Sequence, residues 1–422
     1  MVSSTPPQVG DGSTAGQESH SPLVWLGVVG LVYLLLIGVG TIGDGFKWIS
    51  GGADGAQAIF AFAGNPIVGV ILGVLATALV QSSSTVTSVI VGLVAGGVPV
   101  SIAVPMIMGA NMGTTITNTI VSLGNFRDRG AFRKSFAAAT VHDFFNLFSI
   151  LIFLPVEVMF HPLERMAASL AGIFHGGAGA SVGGFNAVAA MTKPFSHAIV
   201  SSLDALPTTM GALITITLGI AMVMISVLYL GKLLRAVMTG KARVLIDAAI
   251  GRGALSGIAS GTVVTILVQS SSTTTSLVVP LAGAGVLTTR QIYPFTLGAN
   301  IGTCITALLA ATSITGPYEY FALQIALVHL LYNLLGVALF MAVPFLRDLP
   351  VRSSEWLGAK VEHNRSWAFG YIGSVFFVVP SVVFGGEMYF SPESEQPIDA
   401  ACDETSVICA REEVQRVDLR LE

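Results

Sequence analysis

Three short strings occur twice in this chain, in the same order. Gln81-Ser82-Ser83-Ser84-Thr85 returns letter for letter as Gln269-Ser270-Ser271-Ser272-Thr273, and Gly109-Ala110-Asn111-Met112-Gly113-Thr114 returns as Gly298-Ala299-Asn300-Ile301-Gly302-Thr303. His142 and Asn146 of VHDFFN then match His329 and Asn333 of VHLLYN, and Gly69, Gly73 and Thr77 match Gly257, Gly261 and Thr265. The offsets differ by only a residue or two. A fold for this chain must therefore place two related halves, residues 65–157 and 253–345, around some common feature.

The solvent those halves face is set by composition. Of the 422 residues 53% are hydrophobic and only 10% charged, against about 25% charged in soluble domains, and the mean hydropathy is +0.78. The apolar runs are long and continuous instead of alternating, which favours spanning helices over a barrel. The expected fold class is an all-α polytopic membrane protein. A net charge of −4 offers nothing to nucleic acid, and Cys304, Cys402 and Cys409 lack the spacing of a disulfide framework or transition-metal site.

The remaining segments follow in order. Residues 1–22 read as a disordered tail, and 23–64 as a first spanning helix and a loop. Residues 158–208 read as an external connecting loop, 209–252 as a linking helix and basic cytoplasmic loop, and 346–386 as a basic loop and a last spanning helix. Residues 387–422 form a polar tail with ten acidic and three basic residues.

Basic residues orient the halves. Arg127, Arg129, Arg133 and Lys134 crowd one loop, Lys232, Arg235, Lys241, Arg243 and Arg252 a second, and Arg347, Arg352, Lys360 and Arg365 a third. All three are expected to face the cytoplasm. The counterpart of the first loop in the second half, Ser313 to Tyr320, has no basic residue and reads as external. The halves then run in opposite senses, an inverted-topology repeat. Each QSSST string interrupts short, Gly-punctuated apolar segments, the mark of discontinuous or re-entrant helices at a midplane binding site.

The strings QSSSTVTS, IMGANMGTTITNTIVSL and ATVHDFFNLFSILIFLPVEV of the first half, and VQSSSTTTSLVVPL and YPFTLGANIGTCITALLAA of the second, resemble the type II sodium/phosphate cotransporter family over about residues 60–385. The resemblance implies a symporter rather than an enzyme, in the plasma membrane, with inorganic phosphate as substrate, sodium as coupling ion, no cofactor, and a homodimer left open. It places phosphate between the breaks at Ser82, Ser83, Ser270 and Ser271. Gln269, Ser270, Thr303 and Thr306 match one sodium site, Gln81, Ser82, Thr114 and Thr117 form its pseudo-symmetric pocket, and Asp128 with Asn146 matches a further one. In the family an acid at the Asp128 position goes with electrogenic transport. Asn125 stands where the family often has Gln. Vertebrate members continue after a PSVVFGG-like stretch with another apolar segment, whereas Gly386 leads here into polar sequence, so the tail is expected outside.

The chemistry agrees with those assignments. Sodium, a hard cation, favours the hydroxyl and amide oxygens that the breaks supply, and helix starts expose N–H donors that suit an anion without an arginine clamp. The alternatives are a carrier for another oxyanion or a dicarboxylate, and an anion channel. For each half alone, hydroxyls bonded to their own helix and small residues at crossings would account for the pattern; its duplication is what favours a site. His142 and His329 are read as interhelical hydrogen-bonding groups, Cys304 as a packing residue, and Asp128 as a residue that could equally belong to a surface salt-bridge cluster.

Overall fold

A computed structural model of the chain describes residues 22–176, 183–249 and 252–390. Eighteen α-helices are described: α1 Pro22–Ser50, α2 Ala53–Ile59, α3 Pro66–Val80, α4 Ser83–Ala95, α5 Val100–Gly113, α6 Ile116–Ser122, α7 Arg129–Phe160, α8 Pro162–Gly176, α9 Gly183–Leu203, α10 Thr208–Ala249, α11 Ala254–Val268, α12 Ser271–Ser276, α13 Val279–Gly283, α14 Thr289–Ala311, α15 Glu319–Ala342, α16 Pro344–His363, α17 Ser366–Gly373 and α18 Val379–Phe390. Seven stretches within them are long and apolar enough to cross a membrane. The chain is a multi-pass α-helical membrane protein. Met1–Phe384 forms one compact unit and Gly385–Glu422 another, described only to Phe390, where it contributes the end of α18. The terminal tails, Cys402, Cys409 and the side chains of Arg235, Lys241 and Arg243 lie outside the described residues.

The two related halves are built alike. In the first, α3 leads through Gln81 into α4, and in the second α11 leads through Gln269 into α12 and α13. The helix pairs α3–α5 and α11–α14 then pack through glycines at matching positions. A methyl group at Gly109 would overlap the Val70 carbonyl, and one at Gly298 would overlap that of Ile258. Both crossings therefore require glycine, and small residues are what bring helices together where lipid removes the hydrophobic drive. A third crossing joins α1 and α10 in antiparallel sense, with Gly27 against Leu233, Gly38 against Gly219 and Trp48 against Gly211.

Several segments expected as loops are helical. The stretch 158–208 contains α8 and α9, the basic stretch after Leu230 continues α10 to Ala249, and α16 carries the basic residues after Pro344. Charge marks the edge of the apolar slab, but Ala, Leu, Lys and Arg are good helix formers, so a helix need not stop where the membrane does. The first and third basic clusters lie side by side. Arg133 pairs with Glu362 at 3.1 Å, and Arg365 donates to the Arg127 carbonyl at 2.8 Å.

Candidate functional site

Both breaks have the same local construction. Gln81 and Gln269 end their helices in the left-handed region, at φ 60° and 54°, and each turns its amide Nε2–H back onto its own helix, to the carbonyls of Ala78 at 3.0 Å and Ile266 at 2.7 Å. Ser82 and Ser270 then cap the following helices, their Oγ atoms accepting from the N–H of Thr85 and Thr273 at 3.2 Å. A polar C-cap followed at once by a serine N-cap lets the chain reverse with few backbone groups unpaired. The amide oxygens face the other way. Thr117 Oγ1 donates to Gln81 Oε1 at 3.1 Å, and Thr306 Oγ1 donates to Gln269 Oε1 at 3.0 Å.

Between the breaks lies a cavity of about 390 Å³, lined by Gln81 to Ser84 and Thr117, by Gln269 to Thr273, Ser276 and Leu277, and by Val227, Leu228, Gly231 and Lys232 of α10. One ordered water needs only about 10–15 Å³ of such space, so a small hydrated ion has room. Ser83, Ser84, Ser271 and Ser272 are buried, and the N–H groups of that first turn precede those taken by the caps. Hydroxyls and free N–H donors thus converge from both halves. Among the lining residues Lys232 alone is charged. Its ammonium lies 4.8 Å from the Tyr229 ring centroid, a restraint worth about 0.5–1 kcal/mol at an exposed site.

Of the residues singled out in the sequence, Gln81, Ser82, Ser83, Gln269, Ser270, Ser271 and Thr117 meet in this wall, and Thr306 joins through Gln269. Thr114 and Thr303 are buried one turn earlier, with hydroxyls bonded back to Ala110 at 3.0 Å and Ala299 at 2.9 Å. Asp128 and Asn146 are not brought together in this conformation. Asp128 is exposed and caps α7 through Ala131 N–H at 3.0 Å, whereas Asn146 is fully buried, roughly 27 Å further along the same helix at 1.5 Å per residue.

Asn146 belongs instead to a crossed network joining the halves. His142 Nε2 pairs with Asn300 Oδ1 at 2.6 Å, and His329 Nε2 with Asn111 Oδ1 at 3.1 Å. Asn300 Nδ2 donates to Asn146 Oδ1 at 2.9 Å, and Asn111 Nδ2 to Asn333 Oδ1 at 3.0 Å. Each histidine of one half thus holds the GAN asparagine of the other, the interhelical role expected from its spacing. Cys304 is buried and packs against the His329 carbonyl, as a packing residue would. A second bridge runs from Asn118 of α6 to Thr275 and Ser276 of α12 at 2.8 and 3.2 Å.

Four residues of interest escaped the sequence argument. Thr77 and Thr265, one turn before the glutamines, are fully buried with hydroxyls lacking any partner; their matching positions in the repeat were the available signal. Asp143 is also fully buried. Its Oδ2 accepts from Tyr371 at 2.9 Å and Thr119 at 3.2 Å, and its Oδ1 has no partner. It has no counterpart in the second half, where Leu330 stands, so comparing the halves could not select it. Lys232 was visible only as one of several flanking basic residues. Glu157, His161 and Glu164 also lie close enough to share an ion, but the Glu157 carboxylate caps α8 through Leu163 and Glu164 N–H at 2.8 and 2.9 Å, which accounts for its burial.

Paired helix breaks around one cavity within a polytopic helical chain define a multi-pass membrane protein whose two related halves meet at a shared cavity. The Na+/Pi-cotransporter family model matches residues 34–177 and 222–348, and the chain belongs to that family. It is similar to sodium-dependent phosphate transport protein 2B of Homo sapiens, 33% identical over 85% of this chain and 64% of that protein. Sodium-dependent phosphate transport protein 2A of Ovis aries is 31% identical over 86% of this chain and 67% of its own length. The chain thus spans about two thirds of the length of these relatives. No solved structure matches it.

Proposed function

We propose that this protein imports inorganic phosphate with sodium across the plasma membrane by alternating access around the two breaks. The observation that carries the reading is that both QSSST strings line one cavity and reproduce each other's hydrogen bonds. Phosphate is assigned to the Ser83, Ser84, Ser271 and Ser272 turns, whose N–H and hydroxyl groups suit an anion that must also be released. Sodium is assigned to oxygens behind them, at Gln269, Thr306 and the unpartnered Thr265 hydroxyl, with Gln81, Thr117 and Thr77 as the related pocket. A further sodium is placed at Asp143, because a carboxylate oxygen unpaired at membrane depth calls for a cation. The names of the relatives favour phosphate over other oxyanions.

The halves are read as an inverted repeat with re-entrant helices. At 15, 13 and 15 residues, α3, α4 and α11 fall short of the roughly 20 needed to span. The cavity adjoins Lys232, where the second basic cluster begins, so this conformation is read as open to the cytoplasm. Purified protein in liposomes should accumulate labelled phosphate above its external concentration under an inward sodium gradient, undiminished by excess sulfate or succinate. Ser271→Ala should raise the phosphate concentration for half-maximal uptake by about tenfold, as expected for one hydrogen bond to a charged ligand. Absence of accumulation in the parent protein would remove the symport reading.

Lys232 gives a side-specific expectation. One charge near a cavity mouth is worth about 1 kcal/mol or roughly fivefold in binding. In Lys232→Gln, phosphate inside the liposome should inhibit uptake about fivefold less strongly, with external half-saturation unchanged. Lys232→Arg should behave as the parent, and the difference should shrink at high salt.

A further inference from the structure

A second cavity, of about 260 Å³ and with both polar and apolar lining, lies apart from the breaks, where the start of α11 meets α14 and α16. Gly253 precedes α11 without a side-chain cap, so the first N–H groups of a 15-residue helix have no side-chain acceptor, and such groups attract anions. Two guanidinium groups stand in the same wall. Arg290 is held by Asp348 at 2.9 Å, and Asp348 is shared with Arg352 at 3.7 Å. Arg347 has no ion pair among the described residues.

Tyr293 supplies an independent observation. It lines this cavity, is only 2% exposed, and its hydroxyl has no hydrogen-bond partner. Buried phenols ordinarily find an acceptor, because leaving one unpaired is costly. Backbone N–H, guanidinium and phenol donors therefore surround one space whose only carboxylate is already engaged by arginines.

We propose that this cavity binds a phosphate group, carried on an anionic phospholipid of the leaflet that faces the basic clusters. The surroundings favour a lipid over a free ion. The cavity lies where the α14 candidate span begins, and the end of a spanning helix is where headgroups are expected; Leu255 and Phe345, close in the chain to the lining Ala254 and Arg347, are 83% and 69% exposed, an apolar flank for acyl chains. Free inorganic phosphate shares the recognition chemistry and serves as the second arm of the test.

The protein is placed in nanodiscs of phosphatidylcholine, with and without phosphatidic acid, and followed by melting temperature and by bound-lipid count in native mass spectrometry. Phosphatidic acid should raise the melting temperature and remain bound. Arg347→Gln and Tyr293→Phe should each lower its retention by about tenfold. In pure phosphatidylcholine Arg347→Gln should melt as the parent does, and Tyr293→Phe at the same temperature or higher, because it removes an unpaired group. Inorganic phosphate is added to phosphatidylcholine discs separately. A component of the stabilisation by phosphate that Arg347→Gln removes and that persists in Ser271→Ala, beside any component from the breaks, would keep the site and assign it to the free ion. Equal retention of phosphatidic acid by the parent and both variants, with no phosphate effect sensitive to Arg347, would overturn the proposal.

Discussion

Replacing Asp143 with asparagine is expected to raise the sodium concentration for half-maximal uptake about a hundredfold and to change the charge moved per phosphate. Asp143 is buried in the middle of α7, bonded through Oδ2 to Tyr371 and Thr119 and bare at Oδ1. With sodium as its proposed partner, loss of the carboxylate charge would break a buried ion pair at a cost of about 3 kcal/mol or more, which corresponds to roughly two decades in affinity. Asparagine keeps the shape and one oxygen, so the effect isolates charge from packing. Asp128→Ala serves as the comparison. It should remove the α7 cap at a cost of about 1 kcal/mol in stability and leave sodium activation unchanged. Sodium activation curves recorded with currents decide between the two, and an effect confined to Asp128 would return the ligand to the end of α7.

The second large effect is structural. Gly298→Ala should destabilise the solubilised protein by about 3 kcal/mol, the upper end of the usual cost of overpacking, and lower its melting temperature by several degrees. The added methyl would overlap the Ile258 carbonyl and lie 2.8 Å from Thr262 N. Both are backbone atoms of α11, so no side-chain rotation relieves the contact and the helices must separate. Gly109→Ala, against Val70 of α3, should behave alike. Gly370→Ala is the control, because nothing lies within 4 Å of its added methyl and alanine favours a helix over glycine by up to about 1 kcal/mol.

How much could be read beforehand varied with the kind of interaction. The spans were legible because twenty apolar residues have few other uses. The glutamines, threonines, histidines and asparagines could be singled out because each had a counterpart at the matching place in the other half, although their partners could not be named. Asp143 and Lys232 lacked that help. One is a lone acid whose matching position in the second half is Leu330, and the other is one cation among several flanking the apolar segments. Their significance lies in what surrounds them, and residues such as Tyr371 and Ser271 are distant in sequence. The connection between the halves was misjudged in shape for a related reason: Gly and Ser content suggested irregular chain, while α8 and α9 are held by packing against other helices. Gln324 Nε2, for example, donates to the Glu164 carbonyl at 3.1 Å.

By itself the sequence determined that this chain lies in a membrane, that it is made of two related halves, and that each half carries one polar break. Hydropathy, repetition and capping act over a few residues or by comparison of like with like, so they survive in a linear string. Only the tertiary structure decided that the two breaks share one cavity, that each histidine reaches across to the other half, and that Asp128 caps a helix while Asp143 is buried along it with one carboxylate oxygen left without a partner. Those outcomes depend on which distant backbones can approach. That approach is set by glycines at the helix crossings and by the cost of leaving a polar atom alone in the bilayer.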